Sequence, residues 1–420
     1  GVGSLFAGGY GTAERPYLIS NATEFANIRN APSSYFVLTQ DISLGNISPI
    51  DSFSGTFDGH GYTLSGWDYS PTTSGNAGLF REITSNGTVK NVTISNCTIV
   101  SVDGAYGTLN IGLVCGTNNG TISNVIVCGN SNIYGDMGSI DQNNNSDTFA
   151  GGICGTNCGT IEYCGVINST INGYSGSGID KGTANCWVGG IAGRTLSNST
   201  ISDCYSHGNT IKATAKGKVH KVWFSWVEAC GWANIGGLVG RTDGTDIAIT
   251  RSISYSNTIS GTAEGADSRK NQGSLIGYVF STPTMEYCYS ESSDTLFGQG
   301  SVSGGYKISS LTAEGAIHNL TGFADHKWIQ DSSGGHLSIA QNKELAISGG
   351  KVEYFVGEPL NLDGLSIEAV KNDVKEDRSL ITGGFMVSGY DPNMIGVQTV
   401  TITYGKIIGT YNVTVAKPEI

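Results

Sequence analysis

The sequence predicts an all-β protein in which a parallel β-helix, built from stacked coils, is followed by a small β-sandwich. Three observations lead to this fold class. Short apolar runs alternate with turns rich in Gly and Asn, and the 420 residues include 62 Gly but only 8 Pro. One pattern of small and aliphatic residues recurs six times between residues 77 and 296. Charged residues become more frequent near residue 342, which divides the chain into predicted domains 1–341 and 342–420.

The recurring pattern has the length and spacing of a β-helix coil. Each copy has three aliphatic positions, which predict three short strands whose inward side chains stack about 4.8 Å apart. The first aliphatic positions are Leu79, Val114, Ile153, Ile191, Leu238 and Leu275, separated by 35, 39, 38, 47 and 37 residues. A Gly follows two residues later in five copies, at Gly116, Gly155, Gly193, Gly240 and Gly277, whereas the first copy has Arg81. The variable spacing predicts loops of different length at 134–150, 172–188, 212–235 and 260–272.

The repeats GLVCGTNNGTISNV (112–125) and GGICGTNCGTIEYC (151–164) resemble the GLUG motif of bacterial surface proteins. The opening segment FAGGYGTAERPYLISNATEFANIRN (6–30) resembles the start of the β-helical region in adhesin-like chains of that kind. The resemblance covers roughly residues 6–340, although the fifth repeat lacks a clean Gly-Thr-Ile. It implies a right-handed parallel β-helix, with a short helix near residues 22–29 in an N-terminal cap, on an extracellular, adhesin-like bacterial protein.

The sequence of residues 342–420 predicts several separate short strands. This segment resembles the bacterial Ig-like domain, group 3. The residues that carry this resemblance are Tyr354, Gly357, Leu360, Gly364, Leu365, Tyr390, Gly396 and Tyr404. The length suits a small sandwich. That family implies a spacer or stalk module on an extracellular protein.

The charge and hydropathy of the chain exclude some partners. A formal net charge of −12 leaves no basic patch for nucleic acid, and it argues mildly against acidic glycans. No apolar run approaches the roughly 18 residues that a membrane span needs. We expect a monomer whose partner is a carbohydrate or a host surface protein, with no cofactor.

The stretch GTFDGHGYTLSG (55–66) places Asp58 and His60 between glycines. The two residues could be a base and its orienting partner. Asp and Gly are also the residues that a tight bend selects, and a similar turn forms a first-coil corner in the pectate-lyase-like superfamily. We therefore interpret Asp58 and His60 as a structural turn that holds the register of the first coil.

Two groups of residues are candidates for ligand binding. The aromatic residues are Trp187, Trp223, Trp226 and Trp232, of which three lie in one dense aromatic segment, and flat rings can stack on sugars or anchor proteins. The alternative is a hairpin that folds its rings over the solenoid. Arg194 and Arg241 occupy equivalent positions in successive coils and could clamp a carboxylate-bearing sugar. The alternative is that they are solvated turn residues paired with Asp203, Asp243 or Asp246.

The ten cysteines are predicted to be mostly reduced and buried, because several align with Val in equivalent positions. Cys186 and Cys230, each preceding a Gly-Gly-aliphatic start, are the best candidates for a disulfide. No CxxC pair with matching His predicts zinc. The run DQNNNSD (141–147) carries oxygen ligands at a spacing that Ca²⁺ could use, but it lacks the EF-hand glycine and terminal glutamate. We favour a polar loop there.

These observations together favour a non-enzymatic cell-surface protein that functions in adhesion or ligand binding through solenoid loops. Two alternatives stay open at this point. One is a polysaccharide lyase or hydrolase on a pectate-lyase-like scaffold, which requires carboxylates that converge in a cleft. The other is a passive stalk.

Overall fold

The computed structural model describes residues 1–70, 74–103, 107–141, 144–291, 295–309, 311, 316–323, 328–330, 337–339, 342–371 and 378–419. Most of these residues form a parallel β-helix whose coils pass in turn through four sheets. A β-sandwich follows. The predicted all-β fold class, a β-helix with a C-terminal Ig-like domain, is confirmed.

The four sheets are numbered in the order in which a coil visits them. Sheet 1 consists of Ile50–Phe53, Phe80–Ile83, Cys115–Asn118, Cys154–Asn157, Ala192–Leu196, Val239–Asp243, Ile276–Val279 and Phe297–Gln299. Sheet 2 consists of Tyr17–Ile19, Tyr35–Leu38, Ile42–Ser43, Thr56–Asp58, Thr63–Ser65, Thr88–Ser95, Thr121–Cys128, Thr160–Glu162, Gly165–Ile167, Thr200–Ser202, Tyr205–His207, Ala248–Thr250, Ile253–Tyr255, Thr284–Glu286, Cys288–Glu291 and Gly305–Lys307. Sheet 3 consists of Asp68–Tyr69, Thr98–Asp103, Asn132–Met137, Thr170–Ser177, Thr210–Gly217 and Thr258–Glu264. Sheet 4 consists of Gly75–Ala77, Gly107–Ile111, Ser146–Gly151, Thr183–Gly189, Cys230–Gly236 and Arg269–Gly273.

The predicted aliphatic ladders form the core of the β-helix. On sheet 2, register-matched residues in successive coils are buried at Val89, Ile122, Ile161, Ile201, Ile249 and Met285. A second ladder runs along sheet 3 through Ile99, Ile133, Ile171, Ile211 and Ile259. These continuous ladders remove apolar surface from water, which is the main force that holds the coils together.

The prediction of three strands per coil with variable loops was wrong for sheet 4. Four of its six strands lie largely inside the segments predicted as loops, and their inward positions mix small residues such as Cys186 with aliphatic ones such as Val188. Sheets 3 and 4 approach closely: a Cβ added to Gly173 would lie 2.8 Å from the Sγ of Cys186. Glycine on sheet 3 therefore makes room for side chains on sheet 4, as at Gly261, where an added Cβ would lie 2.3 Å from the Ile235 side chain.

A short helical segment closes the N-terminal end of the β-helix. An α-helix spans Ala22–Ala26, flanked by 3₁₀ turns at Val2–Leu5 and Asn27–Asn30. The Asn21 side chain caps it by accepting a hydrogen bond from the Glu24 backbone N–H. Phe25 is fully buried and packs edge-on against Phe57 and Phe80, so the cap covers the first core layer.

The chain after the last coil returns along the outer face of sheet 2. A 3₁₀ turn at Ala316–Asn319 and the strands Trp328–Gln330 and Leu337–Ile339 belong to this part. Trp328 is buried against the ring of Tyr205, and Phe323 packs on Tyr289. These contacts give the outer face of sheet 2 a second apolar cluster.

The C-terminal module is a sandwich of two small sheets. One contains Asn342–Gly349, Leu365–Lys371 and Arg378–Leu380. The other contains Glu353–Phe355, Met386–Ser388, Gly396–Tyr404 and Ile407–Ala416. Their inner faces share a core of Tyr354, Ile367, Val400, Ile402, Val413 and Val415.

The tip of the last hairpin of this module contacts the N-terminal end of the β-helix. The Tyr404 ring lies 4.5 Å from the His60 ring, centroid to centroid. The Tyr62 hydroxyl donates to the Gly405 carbonyl at 2.9 Å. The module therefore folds back to the end of the β-helix at which the chain enters it.

Candidate ligand-binding surface

An antiparallel hairpin projects from the β-helix between sheets 3 and 4 of one coil. Its strands are Val219–Val222 and Ser225–Glu228, joined by Trp223 and Phe224. Trp223 takes a positive φ of 57° to close the turn. The side chains at the tip face solvent, since Trp223 is 87% and Phe224 95% exposed, and Trp226 is 56% exposed. These exposures contradict the alternative in which the rings fold over the solenoid.

The base of the hairpin is fixed to the preceding coil. The Glu228 backbone N–H donates to the Asp180 carboxylate at 3.0 Å, and the Lys181 N–H donates to the Glu228 carbonyl at 2.9 Å. The Lys218 ammonium also lies 2.9 Å from Asp141. The exposed rings are therefore presented on a supported hairpin, although an isolated hairpin is only marginally stable.

The other two predicted tryptophans lie on the outward face of sheet 4. Trp187 and Trp232 occupy neighbouring strands, two residues out of register. Arg269 lies 5.4 Å from the Trp232 ring. Trp187 is only 7% exposed because the ring of Phe149 from the previous coil packs against it at 4.8 Å.

Arg194 and Arg241 meet these rings at the corner between sheets 1 and 4. They are direct register partners on neighbouring strands of sheet 1. The Arg194 guanidinium lies 3.8 Å from the Phe149 ring centroid, and the Arg241 guanidinium lies 4.4 Å from that of Trp187. The structure thus brings together Trp187, Arg194 and Arg241, which the sequence singled out separately. We call this arrangement, completed by Phe149 and Phe280, the arginine corner.

Neighbouring polar groups orient the two arginines. The Arg194 Nε donates to the Thr156 hydroxyl at 2.9 Å. The Arg241 Nη2 donates to Asp243 at 3.3 Å, as the alternative interpretation expected. Asp203 instead forms two hydrogen bonds with Arg251, at 2.9 and 3.0 Å. Burial lowers the pKa of both corner arginines, but a guanidinium stays cationic at neutral pH.

The sequence did not reveal the rings of Phe149 and Phe280. Phe280 lies 4.0 Å from the Arg241 guanidinium, on the coil that follows. For Phe149, the available signal was the register column of sheet 4, whose members each lie two residues before the first glycine of a repeat. That column runs Asn76, Asn110, Phe149, Trp187, Asn234 and Asn271.

Asp58 and His60 form a tight bend at the start of a polar ladder. The Asp58 carboxylate accepts from the His60 backbone N–H at 2.9 Å and from the Asn91 side chain at 3.1 Å. The Asn124 side chain in turn donates to Asn91 at 2.9 Å. His60 has a positive φ of 51°, and burial lowers its pKa although nearby Asp58 raises it. That this bend sets the register of the first coil stays a prediction.

The predicted disulfide between Cys186 and Cys230 is not present. All ten cysteines are free thiols. The register pairs Cys186 with Ala233 and Cys230 with Thr183, so the two cysteines are three residues out of register on adjacent strands. An odd offset places their side chains on opposite faces of the sheet, where no disulfide can form.

The predicted Ca²⁺ run does not bring its carboxylates together. Asp141 pairs with Lys218, whereas Asp147 accepts from the Asn185 amide at 2.7 Å on sheet 4. Residues 142 and 143 of the run lie outside the described residues. Burial raises the pKa of Asp147, although Asn185 and Arg194 partly offset this.

The fold and the outward surface define a β-solenoid with an appended Ig-like module. Residues 349–415 match the family described as bacterial Ig-like domain (group 3). No solved structure matches the chain significantly. Within the described residues, no helix is long and apolar enough to cross a membrane.

Two relatives share part of the sequence. A protein of Evansella cellulosilytica named as a Gly-rich membrane protein is 36% identical over 138 residues, which are 30% of this chain and 16% of that protein. Halomucin of Haloquadratum walsbyi is 32% identical over 139 residues, which are 29% of this chain and 2% of halomucin. The chain therefore spans only a small part of either relative.

Proposed function

We propose that this chain belongs to an extracellular bacterial cell-surface protein and mediates adhesion by binding glycans. The Ig-like match at residues 349–415 and the names of the two relatives support a surface location. The resemblance of the coils to GLUG repeats agrees with it. Adhesion, and a glycan as the ligand, are our proposals.

The observation that carries the proposal is the exposed aromatic tip Trp223–Phe224, together with Trp226. Burying one large apolar side chain contributes about 1.5–3 kcal/mol, so a chain that leaves three rings in water forgoes several kcal/mol of stabilisation. Exposed apolar patches of this kind mark interaction sites. Indole rings offer flat faces to the apolar faces of sugars.

A glycan array that includes host-matrix proteins tests the proposal. The chain and the double variant Trp223→Ala/Trp226→Ala are compared at equal concentration, with sedimentation velocity to check the expected monomer. Two contact tryptophans at about 2 kcal/mol each predict a glycan affinity that is weaker by about 700-fold in the double variant. Tyr10→Ala is the matched control because Tyr10 is an exposed aromatic residue elsewhere, at 67% exposure.

The outcomes separate the candidate functions. Glycan binding that the double variant loses and Tyr10→Ala keeps supports the hairpin as the site. Binding only to matrix proteins overturns the glycan assignment, and binding to nothing on the array favours a passive stalk. Shortening of an arrayed polysaccharide favours the lyase or hydrolase.

A further inference from the structure

The arginine corner places two like charges side by side. Arg194 and Arg241 are direct partners on parallel strands, which are about 4.8 Å apart. Like charges in directly opposed positions destabilise a sheet. Asp243 pairs with Arg241 but leaves the terminal nitrogens of Arg194 without a hydrogen-bond partner among the described residues. An anion held between the two guanidinium groups would relieve this repulsion.

The corner is also rigid. The Arg241 guanidinium lies within 4.4 Å of the Trp187 ring centroid and 4.0 Å of that of Phe280, so rings from two other strands contact it. Phe149 contacts the guanidinium of Arg194 in the same way. A guanidinium held against rings keeps its orientation, and its N–H edge presents donors in the fork geometry that a carboxylate accepts.

Three polar atoms in the corner are buried and have no hydrogen-bond partner in the described chain. They are the Nε1 of Trp187, the Nε of Arg241 and the Oδ1 of Asn185. The Trp187 side chain as a whole is more than nine-tenths buried. Buried polar groups without partners are costly. The terminal nitrogens of Arg194 are not among these buried atoms, so a ligand can reach them at the open edge of the corner.

We propose that the arginine corner binds a sugar that carries a carboxylate, such as a uronic acid. The carboxylate bridges Arg194 and Arg241. The sugar ring lies against the ring of Phe280, which is 54% exposed beside the Arg241 guanidinium. This site is separate from the aromatic hairpin, and it rests on the proposed function only in taking the ligand to be a glycan.

The net charge of −12 does not oppose a local site of this kind. At physiological ionic strength the screening length is about 8 Å, so distant carboxylates contribute little at the corner. The nearby acidic groups are Asp243, already paired with Arg241, and Asp147, hydrogen-bonded to Asn185. We expect one carboxylate to be accepted, whereas a densely anionic polymer is repelled by the rest of the surface.

Isothermal titration of the purified chain with sodium glucuronate tests the proposal, with glucose and sodium acetate as comparison ligands. We expect a Kd of about 1 mM for glucuronate and at least tenfold weaker binding of the other two. Arg241→Lys keeps the charge but not the planar fork, so it should weaken glucuronate binding about tenfold. Arg269→Gln is the matched control because Arg269 also lies over a tryptophan on the outward face but outside the corner. Circular dichroism establishes that each variant is folded.

Each result decides the proposal. Tighter glucuronate binding that Arg241→Lys weakens and Arg269→Gln leaves within twofold supports it. If Arg241→Lys does not fold, Arg194→Gln takes its place. Equal binding of acetate and glucuronate overturns the sugar assignment, and no glucuronate binding at 10 times the expected Kd (about 10 mM) overturns the site. The hairpin variant Trp223→Ala/Trp226→Ala should bind glucuronate as the unmodified chain does, because the hairpin lies outside the arginine corner. A failure of the arginine-corner proposal can therefore be distinguished from a failure of the hairpin proposal in the array experiment.

Discussion

Replacing Gly193 by Ala should destabilise the β-helix strongly. The backbone of Gly193 has a negative φ, so conformational freedom is not the reason for glycine at this position. A Cβ at residue 193 would lie 2.6 Å from the Ala150 nitrogen and 2.7 Å from the Trp187 carbonyl oxygen. Ordinary contact begins near 3.4 Å, so backbone atoms would have to move apart by roughly 0.7 Å.

The magnitude follows from these contacts. Overpacking a tight site costs about 1–3 kcal/mol, and the upper end applies because backbone atoms in a hydrogen-bonded sheet cannot rotate away. Loss of the glycine's unfolded-state entropy returns about 0.4–1 kcal/mol. We expect a net loss of about 2 kcal/mol in the free energy of unfolding, or roughly a 30-fold change in the unfolding equilibrium.

Urea unfolding followed by far-UV circular dichroism measures this loss. Arg81→Ala is the matched control because Arg81 occupies the same column in the first repeat. At Gly193 the Ala150 nitrogen comes from the sheet 4 strand of the preceding coil. Gly75–Ala77 is the first strand of sheet 4 among the described residues, so Arg81 lacks the corresponding contact. Arg81→Ala removes only an exposed ion pair with Asp51, which costs less than about 1 kcal/mol. A Gly193→Ala variant within about 0.5 kcal/mol of the wild type would refute the close-approach explanation.

Three further predictions follow from burial. Ile201→Ala should lower the free energy of unfolding by about 2–5 kcal/mol in the same urea assay, because Ile201 is fully buried in the sheet 2 ladder. A loss below about 1 kcal/mol would contradict the continuous ladder. Ellman's reagent should titrate ten thiols in denaturant, whereas a count of eight would show that one disulfide forms and contradict this prediction. In the native protein Cys186 should stay unreactive at pH 8, because burial raises its pKa to about 12. Because burial lowers the pKa of His60, the unfolded state binds more protons, so stability should be lost as pH falls below about 6.5. Between pH 7.5 and 5.5, His60→Gln should lose less free energy of unfolding than the wild type, by about 1 kcal/mol for each unit by which burial lowers the pKa of His60. Thermal unfolding measures this as a smaller drop in Tm. An unchanged drop would mean that His60 does not titrate in this range.

The sequence predicted the coils well because their core positions obey a simple rule. One aliphatic residue per strand recurs at nearly constant spacing, as at Ile122, Ile161 and Ile201, and each of them is buried in register. Sheet 4 escaped prediction because its inward residues change from coil to coil, and one register column runs Ile111, Ala150, Val188, Ile235 and Gln272. The distance between sheets 3 and 4 limits the size of the side chains between them, and a local sequence pattern does not give that distance.

The candidate surface was predicted only in fragments for a related reason. Trp187, Arg194 and Arg241 were each noticed, but their contacts join a residue on one sheet to a residue on another. Pairing of that kind depends on the angle at which the chain turns between sheets 4 and 1. Phe149 was not singled out in the sequence, although its ring lies 3.8 Å from the Arg194 guanidinium. The disulfide failed for the same reason, since sequence spacing does not give the register between adjacent strands.

The contact between the Ig-like module and His60 determines how a pulling force would pass through the molecule. The chain enters the β-helix at its N-terminal end and forms the coils in order. The C-terminal module then contacts the same N-terminal end. Tension applied between the two flanks of this region would load the small contact around His60, Tyr62 and Tyr404 first. The coils and the hairpin would stay unstrained until that contact opened. Under such tension the β-helix would therefore lie beside the loaded path until the contact opened.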